Sequence, residues 1–161
     1  MFKVDEYVVY KNNVCKVKEV NTKNGYYTLA PIEDESLIIK VLIDNNKSLR
    51  KLISKKELEK IISEIPNIPL IEDNDRLIEN DYKELMRSGT YEDYVKIIKT
   101  TYLRNKQRLE ANKKVGDKDK HYLQEAEKSL YDEFAVVLGK TFEETKKYVE
   151  DAVSQIEWKR L

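Results

Sequence analysis

The chain has 161 residues, enough for one domain or two small ones, and 40% of them are hydrophobic while 37% are charged. Thirty basic residues balance thirty acidic ones. This balance excludes a uniformly basic protein that coats nucleic acid, so any DNA contact must come from a local patch.

No apolar run approaches the ~18 residues of a membrane span. Residues 1–5 lack the charged and then apolar layout of a signal peptide. We therefore expect a cytoplasmic protein with no membrane partner.

The sequence offers little material for metal binding or catalysis. Its one cysteine, Cys15, cannot form an internal disulfide, and its one histidine, His121, cannot build a Cys/His metal site. The four glycines form neither a phosphate-binding glycine loop nor a Gly-x-Ser-x-Gly nucleophile turn. We therefore expect a protein that is not an enzyme and that carries no metal and no cofactor.

The first third of the chain reads as β-structure. Apolar runs of strand length, rich in β-branched and aromatic residues, occur at residues 7–10, 14–20, 26–29 and 37–43. The segments between the early runs contain Asn and Gly, which tolerate the left-handed backbone of tight hairpins. This pattern predicts a small, strongly bent antiparallel β-sheet or barrel of four or five strands.

A helical period begins at Ser54, where a serine followed by Glu57 forms a capping box. Pro66 and Pro69 cannot continue that helix, because proline lacks the amide donor and restricts the residue before it. We therefore predict a β domain with a closing helix over residues 1–65, a linker over 66–72 and an all-α domain of about four helices over 73–161. The first of those four helices is expected to run from Asp73 to Arg87, and the predicted fold class is α+β.

The order of these parts carries a family resemblance. The chain opens with Met1-Phe2-Lys3-Val4 and a Tyr-Val-Val-Tyr strand, and Ser88-Gly89 precedes a Tyr-Glu-Asp-Tyr-Val-Lys-Ile-Ile helix. In this order and spacing it resembles the CarD/CdnL family of bacterial transcription regulators. The resemblance implies a Tudor-like N-terminal domain that docks on the β subunit of RNA polymerase. It also implies a helical domain that contacts promoter DNA near the upstream edge of the transcription bubble.

For the polymerase contact, the family uses an exposed strand that pairs with the partner's sheet, aided by basic side chains. Residues 37–43 fit that strand, with Lys40 inside it and Lys23 in the preceding hairpin. A lysine in an edge strand also prevents aggregation without any docking role, and this alternative stays open. The candidate polymerase-binding residues are Lys23, Leu37, Ile38, Ile39, Lys40 and Val41.

For the DNA contact, the family wedges a tryptophan into the minor groove. Counted back from Ser88-Gly89, that position falls near Asp75, so the wedge is missing, and residues 72–84 carry six acidic residues against two basic ones. Such a helix repels phosphate. We expect the only tryptophan, Trp158, to pack or to anchor the last helix.

Residues 96–120 instead carry nine basic residues against three acidic ones. Lys120 matches a family lysine that touches the DNA backbone. A lysine-rich stretch of this kind is also typical of a merely solvated face, so both readings stay open. The candidate phosphate contacts are Arg76, Lys83, Arg87, Lys113, Lys114, Lys118 and Lys120.

Together these features predict a monomeric, CarD-like regulator with two partners, the RNA polymerase β subunit and the promoter DNA backbone. Without the wedge, it would modulate open-complex stability through DNA contacts that are independent of sequence. In the cell it would be associated with the nucleoid through the polymerase. The alternative is a protein-interaction adaptor that docks on the polymerase or another partner without contacting DNA.

Overall fold

The computed structural model describes residues 1–44 and 47–160, and the side chains of those residues as far as residue 155. These residues form a five-stranded antiparallel sheet followed by five α-helices, which confirms the predicted α+β class. The chain divides into two compact units, Met1–Ile53 and Ser54–Leu161. In the described part of the chain, no helix is both long and apolar enough to cross a membrane.

The first unit is an open antiparallel sheet with the strand order β4-β3-β2-β1-β5. Its strands are β1 (Tyr7–Tyr10), β2 (Asn13–Asn21), β3 (Tyr26–Pro31), β4 (Ile39–Leu42) and β5 (Leu49–Lys51). A register shift between Val17 and Glu19 bends β2, as a bulge does. Within the described residues β4 pairs only with β3 and β5 only with β1, so the sheet is not closed and has two edges.

One face of this sheet holds the core of the first unit, because alternate residues of a strand point to the same side. Its fully buried members include Val8, Val17 and Leu29. Cys15 belongs to this core as a small buried residue. Gly25, at φ +78°, closes the hairpin between β2 and β3 in the left-handed conformation that glycine adopts freely.

The second unit contains all of the helices. They are α1 (Lys55–Glu64), a short 3-10 helix (Ile65–Asn67), α2 (Ile78–Ser88), α3 (Tyr91–Glu110), α4 (Asp117–Leu138) and α5 (Phe142–Arg160). The side chain of Ser54 accepts the amide of Glu57 at 3.2 Å, so the serine half of the predicted capping box forms. Thr141 and Glu144 cap α5 reciprocally, at 3.1 and 2.9 Å. The side chain of Trp158 lies outside the described residues.

Helix α2 begins at Ile78 and not at Asp73, where the sequence pattern placed its start. The reason is Asn74, whose side-chain oxygen accepts the amides of Arg76 and Leu77 at 3.0 and 3.1 Å. An Asn side chain that captures nearby amides offers the backbone a turn in place of a helix.

The residues expected to form an interdomain linker are held against α3. The ammonium of Lys99 donates to the carbonyl oxygens of Ile65 and Ile68 at 2.8 and 2.6 Å. The amide of Ile71 donates to the Thr100 hydroxyl at 2.9 Å. These residues therefore belong to the helical unit, and the division between units falls before α1, the helix that was expected to close the β domain.

Candidate docking edge and basic surface

Among the described residues, strand β4 pairs only with β3, so its other backbone edge has no strand partner there. The amide of Ile43 donates to the carbonyl of Gly25 at 2.9 Å, which fixes the phase of the β3–β4 ladder. In an antiparallel ladder every second residue pairs inward, so Val41, opposite Tyr27, bonds to β3. The amide and carbonyl groups of Lys40 and Leu42 consequently point away from the sheet.

The side chains along this edge alternate between the core and the solvent. Leu37, Ile38 and Leu42 are 54%, 68% and 60% exposed, and Lys40 is exposed as well. Val41 is only 7% exposed and Ile39 packs against the same core. We call Leu37, Ile38, Lys40 and Leu42 the docking edge.

Two of the six candidate polymerase-binding residues therefore have side chains that serve the core, namely Ile39 and Val41. Lys23 lies exposed in the turn between β2 and β3, and this turn adjoins the end of β4 through the bond from Ile43 to Gly25. Sequence reasoning missed Leu42. The signal that identifies it is the period of two, which puts it on the same face as Lys40.

Lys40 is held by an aromatic neighbour on the adjacent strand. Its ammonium nitrogen lies 4.7 Å from the centroid of the Tyr26 ring, and Leu42 is the register partner of Tyr26. The Tyr26 hydroxyl in turn accepts from the Asn21 side chain at 3.2 Å. Cation–π contact at an exposed site contributes ~0.5–1 kcal/mol, enough to bias where this charge sits.

The candidate phosphate contacts divide into two groups. Glu79 accepts ion pairs from Lys83 at 3.7 Å and from Lys118 at 3.3 Å, and Arg87 pairs with Glu84 at 3.4 Å. The structure thus brings α2 and the start of α4 together at a carboxylate. The other four candidates are exposed and form no ion pair among the described residues: Arg76, Lys113, Lys114 and Lys120.

A buried carboxylate lies beneath this surface. Asp119, whose side chain is 3% exposed, accepts from the Tyr82 hydroxyl at 2.8 Å and from Arg104 at 3.0 Å. Arg104 also pairs with Asp75 at 2.7 Å. Burial, followed by the bond to Asp119, raises the pKa of Tyr82, while the hydrogen bond from Arg104 lowers the pKa of Asp75. The position that the resemblance assigns to the wedge tryptophan is therefore an ion-paired carboxylate.

Next to this network lies a cavity of about 270 Å³ whose lining includes Arg104, Arg108, Gly116 and Lys118. Arg108 is half-buried, and no carboxylate in the described part of the chain pairs with it. A Cβ atom at Gly116 would lie 2.9 Å from the Nη1 atom of Arg108. Gly116 therefore leaves room for the Arg108 guanidinium. Arg108 thus joins the four candidate phosphate contacts that form no ion pair among the described residues.

No protein-family model matches this chain, and no curated protein matches it.

Proposed function

We propose that this chain is a CarD-type regulator that binds the β subunit of RNA polymerase by adding β4 to an edge of the partner's sheet. The observation that carries the proposal is the free edge of β4, where outward-pointing backbone groups of Lys40 and Leu42 lie beside three exposed apolar side chains. The resemblance described above supplies the identity of the partner.

Strand addition fits this edge because it needs both features at once. Main-chain hydrogen bonds supply affinity, and side-chain contacts select the partner. Natural proteins protect edge strands from accidental pairing, so an edge flanked by exposed Leu37, Ile38 and Leu42 has the character of an interface. Lys40 would favour an acidic residue on the incoming strand and so fix the register.

The helical unit would contact the phosphates of promoter DNA through the basic residues that acidic neighbours leave available. These are Arg76, Lys113, Lys114 and Lys120, with Arg108 from the adjacent cavity. Phosphate contacts position a protein on DNA without reading sequence. Since the wedge is replaced by Asp75, we expect weaker stabilisation of the open complex than a wedge-bearing member gives.

The second candidate function is an adaptor that docks on the polymerase without contacting DNA. The observation that favours it is the pairing of Lys83, Arg87 and Lys118 with glutamates, which lowers the net charge of the surface that would face phosphate. Both candidates share the docking edge and differ only in the role of the helical unit.

The docking edge is tested by titrating the chain against core RNA polymerase, with Lys40→Glu and Lys51→Glu as a matched pair. Both lysines are exposed, and they lie on the two opposite edge strands of the same sheet. We expect Lys40→Glu to abolish binding and Lys51→Glu to leave it unchanged. Equal behaviour of the two variants, or no binding by the wild type, would refute the proposal.

The DNA contact is tested with a promoter fragment that carries a preformed bubble, added to the polymerase complex. Neutralising Lys113, Lys114 and Lys120 together to Gln should reduce the salt slope of binding by about 3, one unit per lost phosphate contact. If wild-type chain binds polymerase and the DNA footprint and salt slope are unaffected by its presence, the adaptor is the correct function.

A further inference from the structure

A cavity of about 310 Å³ lies in the helical unit, where the end of α1 and the 3-10 helix meet the first turn of α3. Its lining combines two isoleucines, Ile61 and Ile68, with three polar side chains, Glu64, Asn67 and Glu92. The isoleucines are half-buried, whereas both glutamates are exposed. The cavity thus has an apolar wall and one carboxylate from each of two helices, and we call it the acidic pocket.

Both carboxylates of the acidic pocket are available to a ligand. In the part of the chain that the structure describes, neither Glu64 nor Glu92 forms an ion pair or a side-chain hydrogen bond, although each has a lysine four residues away on its own helix. On α2, by contrast, Glu79 and Glu84 are paired with basic residues. The acidic pocket therefore presents two unpaired negative charges beside apolar surface.

The wall that carries Asn67 and Ile68 is held against α3. The ammonium of Lys99 donates to the carbonyl oxygens of Ile65 and Ile68 at 2.8 and 2.6 Å, which ties the 3-10 helix to α3. The amide of Ile68 also donates to the carbonyl of Ile65, at 3.1 Å. Because a preformed pocket loses less conformational freedom on binding than a mobile one, this wall favours recognition of a single side chain.

We propose that the acidic pocket receives an arginine side chain of a partner protein. The methylene stem of arginine is apolar and suits Ile61 and Ile68, while its charged head suits the carboxylates. The guanidinium carries five N–H donors in a planar fork, so it can bond to more than one carboxylate at once. The lysine ammonium is more strongly hydrated and lacks this fork. Charge complementarity of this kind selects one partner over another.

Other classes of ligand fit the acidic pocket less well. A hydrated metal ion would gain nothing from the apolar wall, and Ca²⁺ takes six to eight oxygen ligands. The negative charge repels phosphate, so the pocket is separate from any DNA contact. The inference does not depend on strand addition at β4, and it applies to either role of the helical unit.

The experiment follows the methyl resonances of Ile61 and Ile68 by NMR while a blocked Gly-Arg-Gly peptide is added to the full chain. We expect saturable shifts at millimolar peptide. The same peptide with citrulline in place of arginine should cause no such shifts, because citrulline keeps the shape of arginine and lacks its charge. Glu64→Gln combined with Glu92→Gln should weaken binding of the arginine peptide about tenfold, because two charge-assisted contacts are lost.

The matched control is Glu125→Gln combined with Glu150→Gln. It removes the same charge from exposed positions of α4 and α5 outside the pocket lining and should leave binding unchanged. The citrulline comparison uses the wild-type chain, so it tests the proposal even if a double variant fails to fold.

Three results would overturn the proposal. The first is equal shifts with the arginine and citrulline peptides, or no saturable shift with either. The second is unchanged affinity when both pocket glutamates are replaced, or displacement of the peptide by millimolar magnesium chloride, which would make a metal ion the occupant. The third is a dimer in sedimentation that the pocket variant abolishes, because a second copy of this chain would then supply the arginine.

Discussion

Proline substitutions at Val41 and Leu42, two adjacent positions of β4, would distinguish the residue that bonds to β3 from the one that faces outward. Val41 bonds to β3 and buries its side chain, whereas the amide of Leu42 points to solvent. Proline removes an amide donor, and within sheets it is tolerated on edge strands where that donor faces outward. We therefore expect Val41→Pro to unfold the β unit and Leu42→Pro to leave it folded.

The magnitudes follow from the bonds that each proline removes. Val41→Pro breaks a ladder bond to Tyr27 and disturbs a side chain that is only 7% exposed, so it should cost ~3 kcal/mol or more. Leu42→Pro removes no backbone bond found among the described residues and should cost under ~1 kcal/mol of stability. In complex with the partner strand it removes one main-chain hydrogen bond, ~1 kcal/mol, or about a fivefold loss of affinity.

The assay measures urea unfolding by circular dichroism and polymerase binding by interferometry for both variants. Leu42→Ala serves as the control, because it removes the 60% exposed side chain and keeps the amide. Strand addition requires Leu42→Pro to bind more weakly than Leu42→Ala. Equal binding by these two variants would refute strand addition. An equal loss of stability in Val41→Pro and Leu42→Pro would refute the assignment of Val41 as the residue that bonds to β3.

Three further predictions concern the helical unit. Arg104→Met leaves the buried carboxylate of Asp119 without its cation and should lower the free energy of unfolding by about 3 to 5 kcal/mol, a loss that urea denaturation measures and that adding Asp119→Asn should largely restore. The same variant should raise the pKa of Asp75 towards its ordinary value in an NMR titration, because it removes the Arg104 hydrogen bond, which lowers that pKa most. Because the folded-state pKa is lowered in the wild type, this stabilisation is present above the ordinary pKa and is lost as the pH falls through the folded one. Gly116→Ala should displace the flexible Arg108 guanidinium, seen as a shift of its Nε–H resonance, while stability changes by under ~1 kcal/mol. An unshifted resonance would contradict the close contact.

Local signals in the sequence predict most of the fold. The apolar runs identify β1 to β4 but not the three residues of β5. Ser54 and Thr141 mark the starts of two helices, because an N-cap bond joins residues three positions apart. The sequence pattern does not predict features that depend on contacts between residues far apart in the chain. The ammonium of Lys99 holds carbonyls 34 and 31 residues away, and no local pattern encodes that contact.

The docking edge is predictable in part for the same reason. A strand near Lys40 follows from the apolar run, but only the ladder phase determines that Val41 faces the core and Leu42 the solvent. The network of Asp119 is invisible in the sequence. Arg104 contacts partners 15 and 29 residues away. In the sequence alone it therefore looks like any other basic surface residue.

The contacts of Lys99 and Thr100 with the segment before α2 also determine where the chain can be cut. A fragment that begins at Asp73 would lack Ile65, Ile68 and Ile71, and with them two carbonyl acceptors and an amide donor that α3 now engages. A fragment that begins at Ser54 keeps those groups and the cap of α1. The boundary suggested by the two prolines is therefore a poor place to divide this protein, and the natural division lies a dozen residues earlier, between Ile53 and Ser54.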